Sequence, residues 1–144
     1  MQHAEFVDRV MQNAEFQSRD QAETLIMQAL GTFGERIYRT KRDYLAAQLG
    51  RRLKQYLYSR ADPETSRQDT PRFLLEEFYN RVSARADIGF PEVIQGSRAV
   101  MQVLQQAVTA PVIEEVLSDL PGEYRELFGE EPQSPASPTT LAEG

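Results

Sequence analysis

Apolar residues recur every three or four positions along most of the chain, and no stretch alternates apolar and polar residues with period two. The first spacing places apolar side chains on one face of a helix, whereas the second is typical of a half-buried strand. The sequence therefore predicts helices and no strands. Four helices are expected in the first part of the chain and four in the second. The first six cover about residues 3–15, 19–38, 40–49, 50–58, 71–87 and 92–109, and the last two begin at about 111 and 121.

Polar residues mark the N-termini of three of these helices. Ser18 followed by Gln21 is a capping box, in which the serine oxygen accepts a free backbone N–H and the glutamine side chain reaches back. Thr40 resembles a second N-cap. Thr70 before Pro71 resembles a third, because proline is tolerated at the first helical position.

The long second helix has a well-defined apolar face and two internal glycines, Gly31 and Gly34. A glycine inside a helix is unfavourable relative to alanine, so we expect a neighbouring segment to pack closely at these two positions. The residues predicted to be buried are Leu25 or Ile26, Ala29, Leu30, Phe33 and Ile37.

The stretch Leu45–Leu57 is repeated 71 residues later by Val116–Phe128. A helix breaker or starter, Gly50 or Pro121, follows the second apolar position in each copy. We therefore predict an all-α fold with two similar four-helix units, a pseudo-duplicated helical bundle. The apolar positions that coincide are Leu45 with Val116, Leu49 with Leu120, Leu53 with Tyr124, Tyr56 with Leu127 and Leu57 with Phe128.

The predicted division of the chain follows this repeat. Residues 1–59 form the first unit and 71–128 the second, either sharing one core or closely packed, with a polar linker at 60–70. Residues 129–144 are rich in Pro, Ser and Thr and too poor in apolar residues to offset the entropy of ordering, so we expect a disordered tail. Its prolines recur every third residue, which is typical of a polyproline II helix. The tail is either a peptide that a partner binds or a solubilising extension.

The repeated positions resemble those of a known family. Both parts open with Phe-x-x-x-Val, at Phe6 and at Phe78, and both close with Leu-[Gly/Pro]-x-x-[Leu/Tyr]-x-x-[Tyr/Leu]-[Leu/Phe]. Over about residues 3–129 this pattern resembles the bacterial domain-of-unknown-function family numbered 2267. The resemblance implies a tandem helical fold and, because the family has no assigned activity, no catalytic residue or cofactor. Gly50 stands where the family usually has proline, which concerns only the rigidity of that turn.

Composition narrows the class of protein. The chain is 40% hydrophobic and 26% charged, which is typical of a globular domain, and it has no cysteine for disulfides, thiolate metal sites or thiol catalysis. It has no apolar run approaching the roughly 20 residues that span a bilayer, and its first residues do not form a signal peptide. A cytoplasmic protein without a membrane segment is therefore expected.

Charge is distributed unevenly. The net charge is −6, yet residues 36–67 have nine basic and three acidic side chains. The matching helices of the repeat have net charges of opposite sign, so we expect their surfaces to attract each other, either between the two units or between two chains. The alternative is that two solvated surfaces diverged independently. The candidate basic surface is Arg39, Lys41, Arg42, Arg51, Arg52 and Lys54, and the candidate acidic surface is Glu114, Glu115, Asp119, Glu123 and Glu126.

The residues that carry enzymatic chemistry are sparse. The only histidine, His3, lies near a terminus that we expect to fray, which leaves no base for a nucleophilic triad. No glycine-rich phosphate loop is present, and the acidic residues around Glu123 and Glu126 are expected to face water because the apolar residues between them take the inward positions. We predict no catalytic, metal or cofactor-binding residues.

The sequence thus predicts a non-enzymatic helical module that binds a protein partner or associates with itself. The alternative is nucleic acid or another anionic ligand bound through the basic region 36–54, where tyrosines alternate with basic residues.

Overall fold

Eight helices follow one another in a computed structural model of the protein, which describes residues 1–62 and 70–129. No strand occurs in these two ranges, so the prediction of an all-α fold is confirmed. Most of the predicted linker and the predicted tail beyond Gly129 lie outside the described residues. The helices are α1 (His3–Asn13), α2 (Arg19–Arg36), α3 (Arg39–Ala46), α4 (Arg51–Tyr58), α5 (Leu75–Ala86), α6 (Phe90–Ala107), α7 (Ala110–Leu117) and a final 3₁₀ helix (Gly122–Phe128).

The N-terminus of α2 is capped as predicted. Ser18 Oγ accepts the Gln21 N–H at 3.0 Å, and Gln21 Oε1 accepts the backbone N–H of Gln17 at 2.8 Å. The glutamine therefore reaches one residue further back than in a standard capping box.

The other two predicted caps are wrong. α3 already begins at Arg39, so Thr40 lies inside its first turn. α5 begins at Leu75 rather than at Pro71, because the Leu75 N–H donates to Glu123 Oε2 at 2.6 Å. A carboxylate of the final helix thus caps α5 from 48 residues away in the sequence.

Replacing Ser18 by alanine should lower the free energy of unfolding by about 1 kcal/mol, because the Gln21 N–H would lose its acceptor. Thr40→Ala is the matched control, and it should change that free energy by less than about 0.5 kcal/mol because Thr40 is exposed and makes no cap. Chemical denaturation measures both variants. Equal losses in the two would contradict this assignment of the caps.

The long helices α2 and α6 lie at the centre of one contiguous core. α2 packs against α1, α4, α5 and α6, and α6 packs against α1, α5 and the final helix. All the residues predicted for the inward face of α2 are buried. Phe33 of α2 meets the rings of Phe78 and Phe128 edge-on at 6.5 and 5.7 Å, so the core joins residues from both parts of the chain.

The short helices α3 and α7 pack against each other beside this core. α3 also contacts α4, and α7 also contacts the final helix. Both carry candidate surface residues, so their contact decides which of the predicted charges face each other.

The expected close approach at the glycines of α2 is confirmed. The C-terminal end of α4 and the residues after it lie directly against Gly31 and Gly34, and a β-carbon at Gly34 would lie 1.9 Å from the carbonyl oxygen of Leu57. The backbones of α2 and α4 therefore meet where α2 has no side chain.

Candidate functional site

The basic residues of α4 form an exposed, unpaired face. Leu53 and Leu57 are buried against the core, which turns Arg51, Arg52 and Lys54 toward solvent. Within residues 1–62 and 70–129, none of these three cations has a hydrogen-bond or ion-pair partner. We call Arg51, Arg52 and Lys54 the α4 basic face.

Lys41 has a different environment from the α4 basic face. It lies where α3 packs against α7, and its Nζ donates to Glu115 Oε2 and lies 3.5 Å from Asp119 Oδ2. The hydrogen bond to Glu115 raises the pKa of Lys41 above its ordinary value. One candidate cation and two candidate acids are therefore brought together within the chain.

The remaining acidic candidates also have partners or are partly covered. Glu114 pairs with Arg125 at 3.2 Å, and Glu123 accepts the Leu75 N–H described above. Glu126 is half-buried. Burial, and then the negative charge of Glu126, raises the pKa of Tyr79 to about 12. The acidic set is thus largely engaged inside the molecule.

Arg42 does not belong to the predicted basic surface, because its side chain is only 4% exposed. Its Nη1 donates to the carbonyl oxygens of Gly34 at 2.9 Å and Ile37 at 3.5 Å, at the C-terminal end of α2. The ring of Tyr58 lies 5.8 Å from the guanidinium carbon. Burial lowers the pKa of Arg42, and within the two described ranges its Nε has no acceptor.

A cavity of about 220 Å³ lies beside Arg42, between α3 and the C-terminal end of α4. Its lining includes the exposed Arg39, and the Tyr58 hydroxyl donates to Asp43 Oδ1 at 2.5 Å. We call it the Arg42 cavity; it is lined by Arg39, Arg42, Asp43, Tyr58 and Ala61.

A polar cluster around Phe73 was not predicted from the sequence. Arg36 Nε and the Tyr124 hydroxyl both donate to the Phe73 carbonyl oxygen at 2.7 Å, and the Arg36 side chain is only 4% exposed. Burial raises the pKa of Tyr124 above its ordinary value. One signal existed: Tyr124 occupies the position of Leu53 in the repeat, and a buried tyrosine hydroxyl needs a partner.

A second polar cluster joins α2 to α5. Glu35 pairs with Arg85 at 2.9 Å and with Arg81 at 3.3 Å, and Arg85 also donates to the buried Thr32 Oγ1 at 2.9 Å. The Arg81 guanidinium lies 4.1 Å from the centroid of the Phe73 ring. Together the two clusters fix the segment before α5 against α2 and the final helix.

His3 is not frayed, contrary to the expectation from its position in the sequence. It is the first residue of α1, its Nε2 lies 3.1 Å from Glu23 Oε2, and its ring meets Tyr56 edge-on at 6.0 Å. In the part of the chain that the structure describes, no group of three or more His, Cys, Asp or Glu side chains could hold a metal ion. In the same two ranges, no helix has both the length and the apolar character needed to cross a bilayer.

Comparison with curated proteins gives no match. A family model described as "Uncharacterized conserved protein (DUF2267)" matches residues 3–127. The match runs from the first residue of α1 to the penultimate residue of the final helix, and so it includes both charged regions and the whole α2–α6 core. The chain therefore belongs to the DUF2267 family of uncharacterized conserved proteins.

Proposed function

We propose that this protein is a non-enzymatic, cytoplasmic interaction module that binds an acidic protein partner through the α4 basic face. One observation carries the proposal: Arg51, Arg52 and Lys54 are exposed side by side and, among the described residues, have no partner. Complementary charge steers and orients protein association. A partner with a row of carboxylates would therefore fit this helix.

The position of these cations within α4 supports the proposal. Arg51 and Arg52 are the first two residues of the helix, and no side chain caps its N-terminus. Positive charge is unfavourable there, because the helix dipole already places partial positive charge at that end. The three cations are therefore unfavourable for α4 alone, whereas an anionic partner would offset both the side-chain charges and the dipole.

Self-association through the two candidate surfaces is less well supported. Glu115 and Asp119 contact Lys41, Glu114 contacts Arg125, and Glu123 caps α5. These acids would have to leave their partners to meet the α4 basic face of a second copy. A different acidic protein needs no such exchange.

Nucleic acid is the second candidate for this surface. The α4 basic face and the exposed Tyr58 offer the cations and the aromatic ring that bind phosphates and stack on bases. The burial of Arg42 and the pairing of Lys41 remove two of the six cations predicted for it, and the net charge of −6 opposes a polyanion. An acidic protein partner is therefore favoured.

Binding of a fluorescent, glutamate-rich helical peptide tests the proposal. The double variant Arg51→Glu/Arg52→Glu should weaken binding by at least about tenfold, and added salt should weaken it in the wild type. The matched control is Arg19→Glu/Arg72→Glu, which changes the net charge equally on other surfaces and should change affinity by less than about twofold.

Three further results decide between the candidates. Equal affinity of the two double variants for the peptide would contradict binding through the α4 basic face. A labelled DNA duplex that binds more tightly than the peptide and depends on Arg51 and Arg52 would favour nucleic acid. A dimer in sedimentation velocity at low salt that becomes a monomer at high salt would favour self-association.

We also infer that the chain is a pseudo-duplication of one four-helix unit. Three observations support it. α6, α7 and the final helix begin 71 residues after α2, α3 and α4, and the contact of α2 with α4 has its counterpart in that of α6 with the final helix. Leu25 and Gly96, also 71 residues apart, face each other, since a β-carbon at Gly96 would lie 2.0 Å from Leu25 Cδ2. Equivalent residues meet in this way where two related helices cross at a pseudo-two-fold axis.

A further inference from the structure

Within residues 1–62 and 70–129, Arg42 is a buried cation that forms no ion pair, although the neighbouring Asp43 carboxylate acts on it electrostatically. Among the described residues, Arg42 Nη1 donates to two backbone carbonyl oxygens, and Nε has no acceptor. A guanidinium removed from water needs an acceptor for each N–H, and a negative charge nearby makes its burial favourable. Arg42 lines a cavity from which such a group could reach it.

The matching position of α7 holds no cation. Arg42 is the fourth residue of α3, and the fourth residue of α7 is Ile113, which is also buried. An aliphatic side chain thus satisfies the packing of one short helix, whereas the other buries a charge. Packing alone therefore does not explain Arg42: its Nη1 caps the end of α2, whereas among the described residues its Nε finds no acceptor.

The charges around the cavity favour a small anion. Arg39 is exposed and, within the described ranges, has no partner, so it adds a second guanidinium to that of Arg42. The one carboxylate of the lining, Asp43, already accepts the Tyr58 hydroxyl. Two cations against one anion leave a positive site, and about 220 Å³ exceeds the volume of several water molecules at about 30 Å³ each.

We propose that the Arg42 cavity binds a small metabolite through a carboxylate or phosphate group held by Arg42 and Arg39. Arginine recognises both groups by the same charge-assisted hydrogen bonds. Asp43 and Tyr58 lie at the rim as acceptor and donor for a hydroxyl or amino group of the same molecule. This site is separate from the α4 basic face, and neither proposal depends on the other.

Titration of the full-length protein with sodium acetate and with sodium phosphate, each at constant ionic strength against sodium chloride, tests the site. ¹H–¹⁵N NMR of the arginine Nε–H groups is the readout. We expect a saturable shift of the Arg42 Nε–H signal and of the amide signals of Asp43, Tyr58 and Ala61. The probe with the lower Kd identifies the carboxylate or the phosphate as the recognised group.

Two variants separate this site from general charge effects. Arg42→Ile, the residue that α7 has at the matching position, should abolish saturable binding. Arg39→Gln alters an exposed residue and should leave the fold intact while raising Kd by about tenfold. Arg51→Gln on the α4 basic face is the control, with unchanged Kd.

Two results would overturn the site. The first is the absence of a saturable shift with either probe. The second is a Kd in Arg39→Gln equal to that of the wild type, which remains decisive even if Arg42→Ile fails to fold.

Discussion

Replacing Gly34 by alanine should lower the free energy of unfolding by about 3 kcal/mol, although alanine is the better helix former by about 1 kcal/mol. The added β-carbon would lie 1.9 Å from the carbonyl oxygen of Leu57 and 3.0 Å from its carbonyl carbon, both of them backbone atoms. α4 would have to move away from α2 to make room. That movement would also separate Leu57 from the core. Urea denaturation measures the loss.

Gly31→Ala is the matched control, three residues earlier in the same helix. Its β-carbon would lie 2.6 Å from Ser59 Oγ, which can rotate away by giving up its hydrogen bond to the Tyr56 carbonyl oxygen, and 3.3 Å from that carbonyl oxygen. The helix-forming advantage of alanine should then offset the contact, with a net change below about 1 kcal/mol. If the two variants were equally stable, the close approach of the α4 backbone to Gly34 would be refuted.

Replacing Phe33 by alanine should cost about 3–5 kcal/mol, the range observed when a large aromatic side chain is removed from a core. Phe33 is fully buried, and its ring contacts Phe78 of α5 and Phe128 of the final helix. Because these contacts join the two parts of the chain, amides in residues 1–62 and in 70–129 should lose hydrogen-exchange protection together.

Leu74→Ala is the control for this loss. Leu74 is also a large apolar residue, but it is 54% exposed, so its truncation should change the free energy of unfolding by less than about 0.5 kcal/mol. Loss of protection in only one of the two parts of Phe33→Ala would contradict a single shared core.

Local sequence patterns correctly predicted the structural features that depend only on residues close together in the chain. The apolar face of α2 and its Ser18 cap follow from helical spacing and from a side chain three residues away, so both were correct. The cap predicted at Thr40 failed because α3 begins one residue earlier than expected, and the cap predicted at Thr70 failed because α5 begins at Leu75. The N–H of Leu75 has a stronger acceptor in Glu123, which no local pattern reveals.

The same distinction between local and long-range interactions applies to the residues of the candidate site. The sequence identified Arg51, Arg52 and Lys54 as surface residues, since Leu53 and Leu57 take the inward positions of the same helix. It could not separate Arg42 from this set, because burial of that arginine depends on the carbonyl oxygens at the end of α2. The Phe73 cluster was missed altogether, because residues from three distant segments meet there.

By itself, then, the sequence determined the helices, their inward faces and the two sets of opposite charge, because helical periodicity and composition are local properties. Only the tertiary structure decided which charges are paired. The packing of α3 on α7 places Lys41 against Glu115 and Asp119, whereas α4 turns its three cations to solvent. Charges interact over a few ångströms of space, whatever their separation along the chain, so the pairing depends on how the helices pack.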